Sequence, residues 1–362
     1  MKREKIRFSP KKNPEFFREL REKVDEYFTE NKISKYGNYH IALKSTLMLA
    51  MYLVPYLLML TGVVTSLPLV FLSWIVMGAG VAGIGLVLMH DANHRSVSKR
   101  QIINKIAGKS LYLLGGHPET WRHQHNTMHH GYTNIEGHDE DIDPLEFLRF
   151  SPHKKLRKIH RFQFIYAYFA YGLMTLTWIT TKDFKQLIRY RRERALPYDE
   201  KKYNILMTDL IVSKVLYYAV FLVIPIIFFP VAWYWTLTGF ILMHLVTGFI
   251  LGIIFQTAHV VTTSDYPLPE NGSIDNNWAI HQLQTTADYA PRNRILSWLV
   301  GGLNYQVEHH LFPNISHVHY RNIAPIVKET AEKHNLPYYV NDTFFKALGS
   351  HTRMLKRLGT VA

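Results

Sequence analysis

The sequence of 362 residues contains no cysteine. This absence excludes disulfides, thiolate metal sites and a cysteine nucleophile. Acidic residues are also few, with 28 Asp and Glu against 42 Lys and Arg, so the formal net charge is +14. Such an excess suits nucleic acid, an anionic lipid surface or an acidic protein partner, and the positions of the charges decide among these.

The sequence also lacks the short apolar run and small-residue cleavage site of a signal peptide, because residues 1–38 carry charges throughout. We therefore expect the first apolar run to be retained as a membrane span. The mean hydropathy of -0.08 is close to neutral only because basic segments alternate with long apolar runs. This block pattern is typical of an integral membrane protein, so no nucleic-acid partner is expected.

Four apolar runs have the roughly 20 residues needed to cross a bilayer. They lie at residues 42–63, 67–89, 207–229 and 232–257. The connections at residues 65–67 and at Pro230 are short and uncharged, so the four runs are predicted to form two hairpins. Lys and Arg concentrate in the other segments, and the positive-inside rule therefore predicts that those segments and both termini are cytoplasmic.

A fifth apolar segment at residues 162–180 is also long enough to cross. If it did, the histidines after the second and fourth spans would lie on opposite sides of the membrane. Its many aromatic residues favour an interfacial or re-entrant helix instead. Shorter apolar pieces at residues 106–114 and 295–303 are also interpreted as interfacial. The predicted organisation is a cytoplasmic segment 1–40, a membrane domain 41–345 and a basic tail 346–362.

Histidines cluster at the predicted cytoplasmic ends of the spans. His90 and His94 follow the second span at i, i+4 spacing, which places both imidazoles on one helix face. The same spacing recurs in His125 and His129, with His130 pointing about 100° away on an α-helix. The remaining members of the set are His259, at the end of the fourth span, and His309 with His310 after it.

A single pair of this kind is commonly structural, but three clusters at one membrane boundary are hard to explain by packing, because buried imidazoles need partners. Eight histidines indicate two metal ions. Imidazole suits iron, zinc, copper or nickel, so the ligand type leaves the metal open.

The motifs HDANH at 90–94, HNTMHH at 125–130 and QVEHHLFP at 306–313 resemble the three histidine boxes of membrane fatty acid desaturases. Gln306 stands at the first position of the third box. In having glutamine there, the sequence resembles the front-end subfamily and bacterial linoleoyl-CoA desaturase-like proteins. GYTN at 131–134, DIDP at 141–144 and WAIHQLQTT at 278–286 extend the likeness over residues 40–340. The bacterial inner membrane is therefore expected rather than the endoplasmic reticulum.

The resemblance implies an all-α integral membrane protein whose four transmembrane helices, interfacial helices and cytoplasmic helical cap hold a di-iron site. It implies that the iron ligands are His90, His94, His125, His129, His130, His259, His309 and His310. Gln306 is assigned to the site as a ligand or a neighbour of one. Further residues expected to contact ligands, as hydrogen-bond acceptors for free ring N–H groups, are Asp91, Asn126, Asp141, Asp143 and Glu308. No catalytic residue is expected beyond the metal site.

One position departs from the family pattern. Better-known acyl-CoA enzymes have an asparagine four residues before the histidine outside the boxes, where it holds a water on one iron. This chain has Phe255 there, and Gln256 is a candidate substitute.

The implied reaction is O₂-dependent introduction of a cis double bond into an acyl chain carried by CoA, a lipid or a carrier protein. Such chemistry needs an oxidant that no side chain supplies, and zinc has no redox chemistry, so two iron ions are expected. No fused haem domain is recognised, so a separate ferredoxin or cytochrome b5-type protein is expected to supply electrons. Two alternatives stay open at this point, namely a lipid or carotenoid hydroxylase or ketolase, and a metal or haem transporter.

Overall fold

The computed structural model describes residues 5–9, 13–143, 146–196 and 198–361. Pro144 of the DIDP motif and the extreme residues of the two predicted terminal segments lie outside these ranges. The described chain is built mainly of helices. In chain order the α-helices are α1 (Pro14–Glu30), α2 (Tyr39–Leu60), α3 (Leu67–Gly83), α4 (His90–Asn93), α5 (Gln101–Gly108), α6 (Pro118–Arg122), α7 (Gln163–Gly172), α8 (Met174–Thr177), α9 (Asp183–Arg192), α10 (Glu200–Tyr218), α11 (Ile224–Phe228), α12 (Trp233–His259), α13 (Trp278–Thr285), α14 (Arg294–Leu299), α15 (Gln306–Leu311), α16 (Tyr320–Lys333) and α17 (Phe344–Thr360).

Within the described ranges, four π-helical segments and three 3₁₀ turns connect or interrupt these helices. The π segments are Ile84–Met89, His123–His129, Trp178–Lys182 and Ala219–Val223. The 3₁₀ turns are Lys109–Leu114, Lys158–Phe162 and His317–His319. Short strands form two parallel pairs, β1 (Arg7–Phe8) with β2 (Ser273–Ile274) and β3 (Asp288–Tyr289) with β4 (Val340–Asn341).

Four continuous helices in the described residues are long and apolar enough to cross a membrane, which confirms the predicted number of spans. Spans 1 to 4 are Tyr39–Leu60, Leu67–Asn93, Glu200–Phe228 and Trp233–His259. Span 2 is 72% buried over its apolar window and span 3 only 28%. Span 2 is therefore the central helix, packed against α2 on one side and α12 on the other, and its main core residues include Trp74 and Met77.

The fifth apolar run is not one of the four long apolar helices of the described residues. It is divided between α7, α8 and the π segment Trp178–Lys182, and it packs against α12. The close approach of the two helices depends on small residues, since a Cβ on Gly248 would lie 2.5 Å from the carbonyl oxygen of Gly172. The segment thus forms one wall beside span 4.

Two glycines allow the chain before the last histidine motif to pack closely against span 2. Gly301 and Gly302 have φ values of 61° and 67°, a conformation that glycine adopts without a steric penalty. A Cβ on Gly301 would lie 2.4 Å from the carbonyl oxygen of Leu86. The chain can therefore turn tightly against span 2 and begin α15 beside it.

The C-terminal residues 346–360, which the sequence assigns to a basic tail, form most of the packed helix α17. Buried Arg149 fixes its end, because the guanidinium donates to the carbonyl oxygens of Leu358 at 2.5 Å and Val361 at 2.7 Å. His351 of the same helix contacts the Tyr171 hydroxyl at 2.6 Å. α17 is thereby joined to α7.

Candidate metal centre

The eight histidines predicted as ligands lie together in one buried cluster. Each is at most 8% exposed to solvent. They come from the ends of spans 2 and 4, from the π segment His123–His129 with the residue that follows it, and from α15. The ring centroids of His129 and His259 are 4.7 Å apart, so segments separated by 130 residues of sequence meet here.

The first pair, His90 and His94, lies at the end of span 2. The backbone N–H of His94 donates to the carbonyl oxygen of His90 at 3.1 Å, which is the i to i−4 bond of an α-helix. The predicted i, i+4 arrangement holds, and the ring centroids are 4.7 Å apart. The π segment Ile84–Met89 just before the pair rotates it relative to the membrane part of the span.

The second motif has a different geometry from the α-helix that its spacing suggests. It lies in the π segment His123–His129, where the N–H of His130 donates to the carbonyl oxygen of His125 at 3.0 Å. This i to i−5 bond brings residues five apart onto one side. The Nε2 atoms of His125 and His130 consequently lie 3.3 Å apart, instead of the two rings pointing in different directions. π segments of this kind are frequent at functional sites.

Seven of the eight histidines fall into two groups by the positions of their potential ligand atoms. His90, His94, His125 and His309 form a four-histidine group, and His129, His259 and His310 form a three-histidine group, with one ligand atom of each residue within 4.8 Å of the others. His130 lies between them, with its ring centroid 4.8 Å from that of His94 and 4.3 Å from that of His310. The arrangement is suited to metal binding.

Several ring nitrogens in the cluster have no hydrogen-bond partner although they are buried. They are His90 Nδ1, His94 Nε2, His129 Nε2, His130 Nδ1, both nitrogens of His259, His309 Nε2 and His310 Nε2. Leaving a buried polar atom unpaired costs about 1–3 kcal/mol. A set of this size at one place is accounted for by metal ions, which would satisfy the nitrogens as neutral imidazole ligands.

The opposite nitrogens of three of these rings are held by polar neighbours. Asp139 lies 3.1 Å from His129 Nδ1, Gln282 Oε1 lies 2.8 Å from His310 Nδ1, and the Tyr320 hydroxyl lies 3.1 Å from His309 Nδ1. Such contacts fix the ring orientation and the tautomer that binds a metal. Sequence reasoning missed all three. Gln282 lies in the family-like stretch 278–286, but nothing in the pattern distinguishes Asp139 from the acidic residues around it.

The acidic residues named from sequence lie near the cluster but contact other groups. Asp91 Oδ2 accepts from Ser316 Oγ and lies 2.9 Å from His317 Nδ1, while its Oδ1 is 3.8 Å from His90 Nδ1, beyond hydrogen-bonding distance. Asp91 thus joins the first motif to the loop after the third.

Asp141 and Asp143 lie at the edge of the cluster. One oxygen of Asp141 is 3.5 Å from His129 Nδ1 and 3.7 Å from His125 Nδ1, and the other accepts from Gln124. Asp141 also forms a possible ligand group with His125 and His129. Asp143 pairs with Lys154 at 2.9 Å instead of a histidine.

Glu308 contacts Tyr338 and is not part of either histidine group. The Tyr338 hydroxyl lies within hydrogen-bonding distance of both Glu308, at 2.8 Å, and Asp288, at 2.7 Å. Burial and the neighbouring carboxylate of Asp288 raise the pKa of Glu308 well above its usual range. Their contact holds α15 against β3, because Asp288 also accepts from the backbone N–H of Val307.

The three predicted amides each leave one oxygen without a partner. Gln306 donates to the carbonyl oxygen of Leu303 at 2.8 Å and Asn126 to that of Asn93 at 3.0 Å, while Gln256 makes a long contact of 3.5 Å with the carbonyl oxygen of Asp141. The unpartnered oxygens are Gln306 Oε1, Asn126 Oδ1 and Gln256 Oε1. An amide oxygen is a possible metal or water contact.

Electrostatics favours neutral imidazoles over most of the cluster. Burial, reinforced by neighbouring imidazoles, holds the pKa of His125, His130, His309 and His310 well below the usual value. His129 differs. Burial lowers its pKa, but the carboxylates of Asp139 and Asp141 outweigh that effect and raise it to about 9. Negative charge is therefore concentrated beside the three-histidine group.

A cavity of about 620 Å³ begins at the histidine cluster. Its inner wall includes His125, His129 and His259, and apolar and aromatic side chains line its length, among them Trp121 and Phe255. Its outer rim is charged, with exposed Lys185 as an example. The cavity can hold an apolar chain against the cluster with a polar group at the rim.

Phe255 occupies the position at which the resemblance to acyl-CoA enzymes led us to expect a water-holding asparagine. Its ring centroid lies 6.2 Å from that of His90 and 6.1 Å from that of His125. The cavity floor next to the four-histidine group is therefore apolar. Gln256, the next residue, also lines the cavity.

Comparison with known proteins agrees with this site. The fatty acid desaturase family model matches residues 65–341. A relative in Arthrospira platensis, named sn-1 linoleoyl-lipid 6-desaturase, is 35% identical over 349 residues, covering 95% of this chain and 92% of the relative. A protein of the same name in Synechocystis sp. is 32% identical, covering 98% of each chain. An acyl-lipid (8-3)-desaturase of Physcomitrium patens is 34% identical, covering 99% of this chain and 74% of its own length.

Proposed function

Because the chain belongs to the fatty acid desaturase family and is a fatty-acyl desaturase, we propose that it inserts a cis double bond into acyl chains of membrane glycerolipids. The names of the relatives, which specify acyl-lipid and linoleoyl-lipid substrates, support a lipid carrier over CoA. They also support a front-end reaction, in which the new bond forms on the carboxyl side of an existing one.

The observation that carries the proposal is the buried set of unpartnered histidine nitrogens at the inner end of an apolar cavity. The four-histidine and three-histidine groups, with His130 between them, would hold two iron ions. When bound, these ions would supply the O₂-dependent redox chemistry that hydrogen removal from an unactivated methylene requires. Zinc is redox-inert and would not serve.

The chain's own residues would position the substrate. Trp121 and Phe255 line the cavity beside the histidines and would exclude water from the reacting methylenes. Met174 and Trp178 continue the apolar lining away from the cluster, and polar groups of the lipid would remain at the charged rim. Distance from rim to cluster would then select the carbon that reacts.

Electrons would come from a separate ferredoxin or cytochrome b5-type protein. The net charge of +14 supports an acidic donor, because opposite charge accelerates association. We place the cluster, its helical cap and both termini on the cytoplasmic side of a bacterial inner membrane, with the spans in two hairpins. The absence of cysteine allows a direct test with single cysteines. Thr65→Cys should react with an impermeant maleimide in intact cells, and Lys201→Cys only after permeabilisation.

Product analysis tests the function. Expression in a host that makes linoleoyl lipids but lacks this activity should yield fatty acids lighter by two hydrogens, with the new bond located by gas chromatography and mass spectrometry. Products heavier by one oxygen would instead indicate a hydroxylase. Failure to detect iron in the purified protein would overturn the proposed cofactor.

A matched pair of histidine variants completes the test. His310→Ala removes a buried member of the three-histidine group and should abolish the product. His40→Ala removes an exposed histidine outside the cluster and should leave product formation unchanged. Equal activity of both variants would contradict the proposed site.

A further inference from the structure

Helix α5 follows the first histidine motif and carries an apolar face that no other part of the described chain covers. Ile102, Ile103 and Ile106 are 61%, 41% and 66% exposed. Asn104 and Gly108 are buried on the other side of the same helix. Residues two positions apart in an α-helix are rotated by about 200° and lie on nearly opposite faces. Asn104 and Gly108 face the protein, so Ile102 and Ile106 face away from it.

The inner face of α5 is firmly anchored. Asn104 accepts from the backbone N–H of Ser98 at 3.0 Å and donates to the carbonyl oxygen of the same residue at 2.6 Å. Asn93 donates to the carbonyl oxygen of Gly108 at 3.2 Å, and a Cβ on Gly108 would lie 2.8 Å from Asn93 Oδ1. The isoleucines are thus held outward by the fold and not left exposed by a loose segment.

The charge around this face has one sign. Residues 95–109 contain five cations and no Asp or Glu, and the cations are Arg95, Lys99, Arg100, Lys105 and Lys109. All five side chains are exposed, and none forms an ion pair with a carboxylate of the described residues. Lys105 and Lys109 are four residues apart and therefore lie on one side of the isoleucine face.

We propose that α5 is a binding element for anionic phospholipids. A helix with an outward apolar face lies in the membrane interface, with that face among the acyl chains and its lysines at headgroup level. Cations at that level attract an anionic lipid surface. A protein partner is disfavoured, because the face adjoins span 2 at the end of its apolar run and the exposed side chains are small in number.

Another basic segment of the chain provides a contrast. Residues 191–202 also contain five cations, but three acidic residues lie among them and Arg191 pairs with Glu200. No large apolar side chain between Ile188 and Ile205 is exposed among the described residues. This segment has the same number of cations as residues 95–109 but includes acidic residues and has no exposed apolar face. It is therefore a matched control.

The test measures lipid binding to the purified full-length protein, so it does not depend on desaturase activity. Native mass spectrometry of the detergent-solubilised protein would be titrated with phosphatidylglycerol and, separately, with phosphatidylcholine. The variant Lys99→Gln/Lys105→Gln/Lys109→Gln should weaken phosphatidylglycerol binding by about tenfold or more. Its binding of phosphatidylcholine should not change. The control Arg192→Gln/Arg194→Gln/Lys201→Gln should retain wild-type binding of both lipids.

A second variant keeps the charge and alters the apolar face. Ile102→Asn/Ile106→Asn should weaken binding of both lipids, because the acyl chains lose their contact while the lysines remain. Equal loss of phosphatidylglycerol in the control triple variant, or no loss in the α5 triple variant, would overturn the inference. Wild-type binding that does not distinguish the two lipids would overturn it as well.

Discussion

The two halves of the histidine cluster are supported in different ways. In the four-histidine group, His125 stacks on Trp121 with ring centroids 4.4 Å apart, Phe255 lies beside it, and the neutral Tyr320 hydroxyl contacts His309. In the three-histidine group, the carboxylate of Asp139 contacts His129 and an amide oxygen contacts His310. One half therefore rests mainly on aromatic packing and the other on polar and charged contacts.

This difference concerns the further ligands that a metal ion in each half would need besides the histidines. Four imidazoles provide most of a coordination sphere, whereas three leave more positions open. Gln306 Oε1 and Gln256 Oε1 are both buried and have no hydrogen-bond partner. Gln256 also lines the cavity. The three-histidine group is therefore the half in which a glutamine, His130 or a water would join the histidines, and it is the half that single substitutions should perturb most selectively.

The largest expected effect comes from removing one histidine of either half. His309→Ala and His259→Ala should each lower product formation at least 100-fold, because the proposed reaction would need both ions. Each variant should retain about one of the two ions, since its partner half keeps its ligands. Metal analysis by mass spectrometry, together with product yield, checks this. Loss of both ions in both variants would indicate a single shared site instead of two halves.

The next effect concerns the charged support of the three-histidine group. Asp139→Asn keeps the shape but removes the charge beside His129, and outer contacts of this kind are worth about 10–100-fold in metal affinity or activity. Chelator titration should release one ion more readily than from the wild type. Asp143→Asn is the control, because Asp143 pairs with Lys154 and contacts no ligand histidine. Equal sensitivity of the two variants would contradict the role of Asp139.

The sequence predicted the spans and the members of the cluster for a physical reason. Long apolar runs and recurrent histidine motifs are local signals, so the span count and the meeting of eight histidines follow from them. His259 is predicted by its place at the end of an apolar run. Backbone geometry was less accessible, because the i, i+4 spacing of His125 and His129 in the sequence fits an α-helix equally well, while the structure has a π segment there.

Partner side chains were the least predictable part. Asp91 is adjacent to His90 in sequence, yet its carboxylate contacts His317, more than 200 residues away. Tyr320 and Gln282 reach their histidines from separate helices. Such contacts depend on tertiary packing that periodicity does not encode. The packing of α17 is a further example, because buried Arg149 holds its end and no local pattern indicates that burial.

An intermediate effect is expected from the glutamine of the third motif. Gln306→Ala removes the buried unpartnered oxygen and should lower turnover by about tenfold, as loss of one outer or weak ligand would. The three-histidine half should release its ion faster, and the four-histidine half should be unaffected. Gln101→Ala, at an exposed position, is the control. Unchanged ion release with unchanged turnover would exclude Gln306 from the site.

The smallest effect tests the comparison from the other half. Tyr320→Phe removes the hydroxyl beside His309 Nδ1 and retains the aromatic ring, whose other contacts pack α16 on α15. A neutral hydrogen bond contributes about 1 kcal/mol, so turnover and ion retention should fall by roughly fivefold, clearly less than for Asp139→Asn. The same turnover assay and chelator titration measure both variants. If Tyr320→Phe lowers turnover and ion retention as much as Asp139→Asn does, the two halves do not differ in how strongly their outer contacts hold the metal. Loss of a neutral hydroxyl would then have the same effect as loss of a charge.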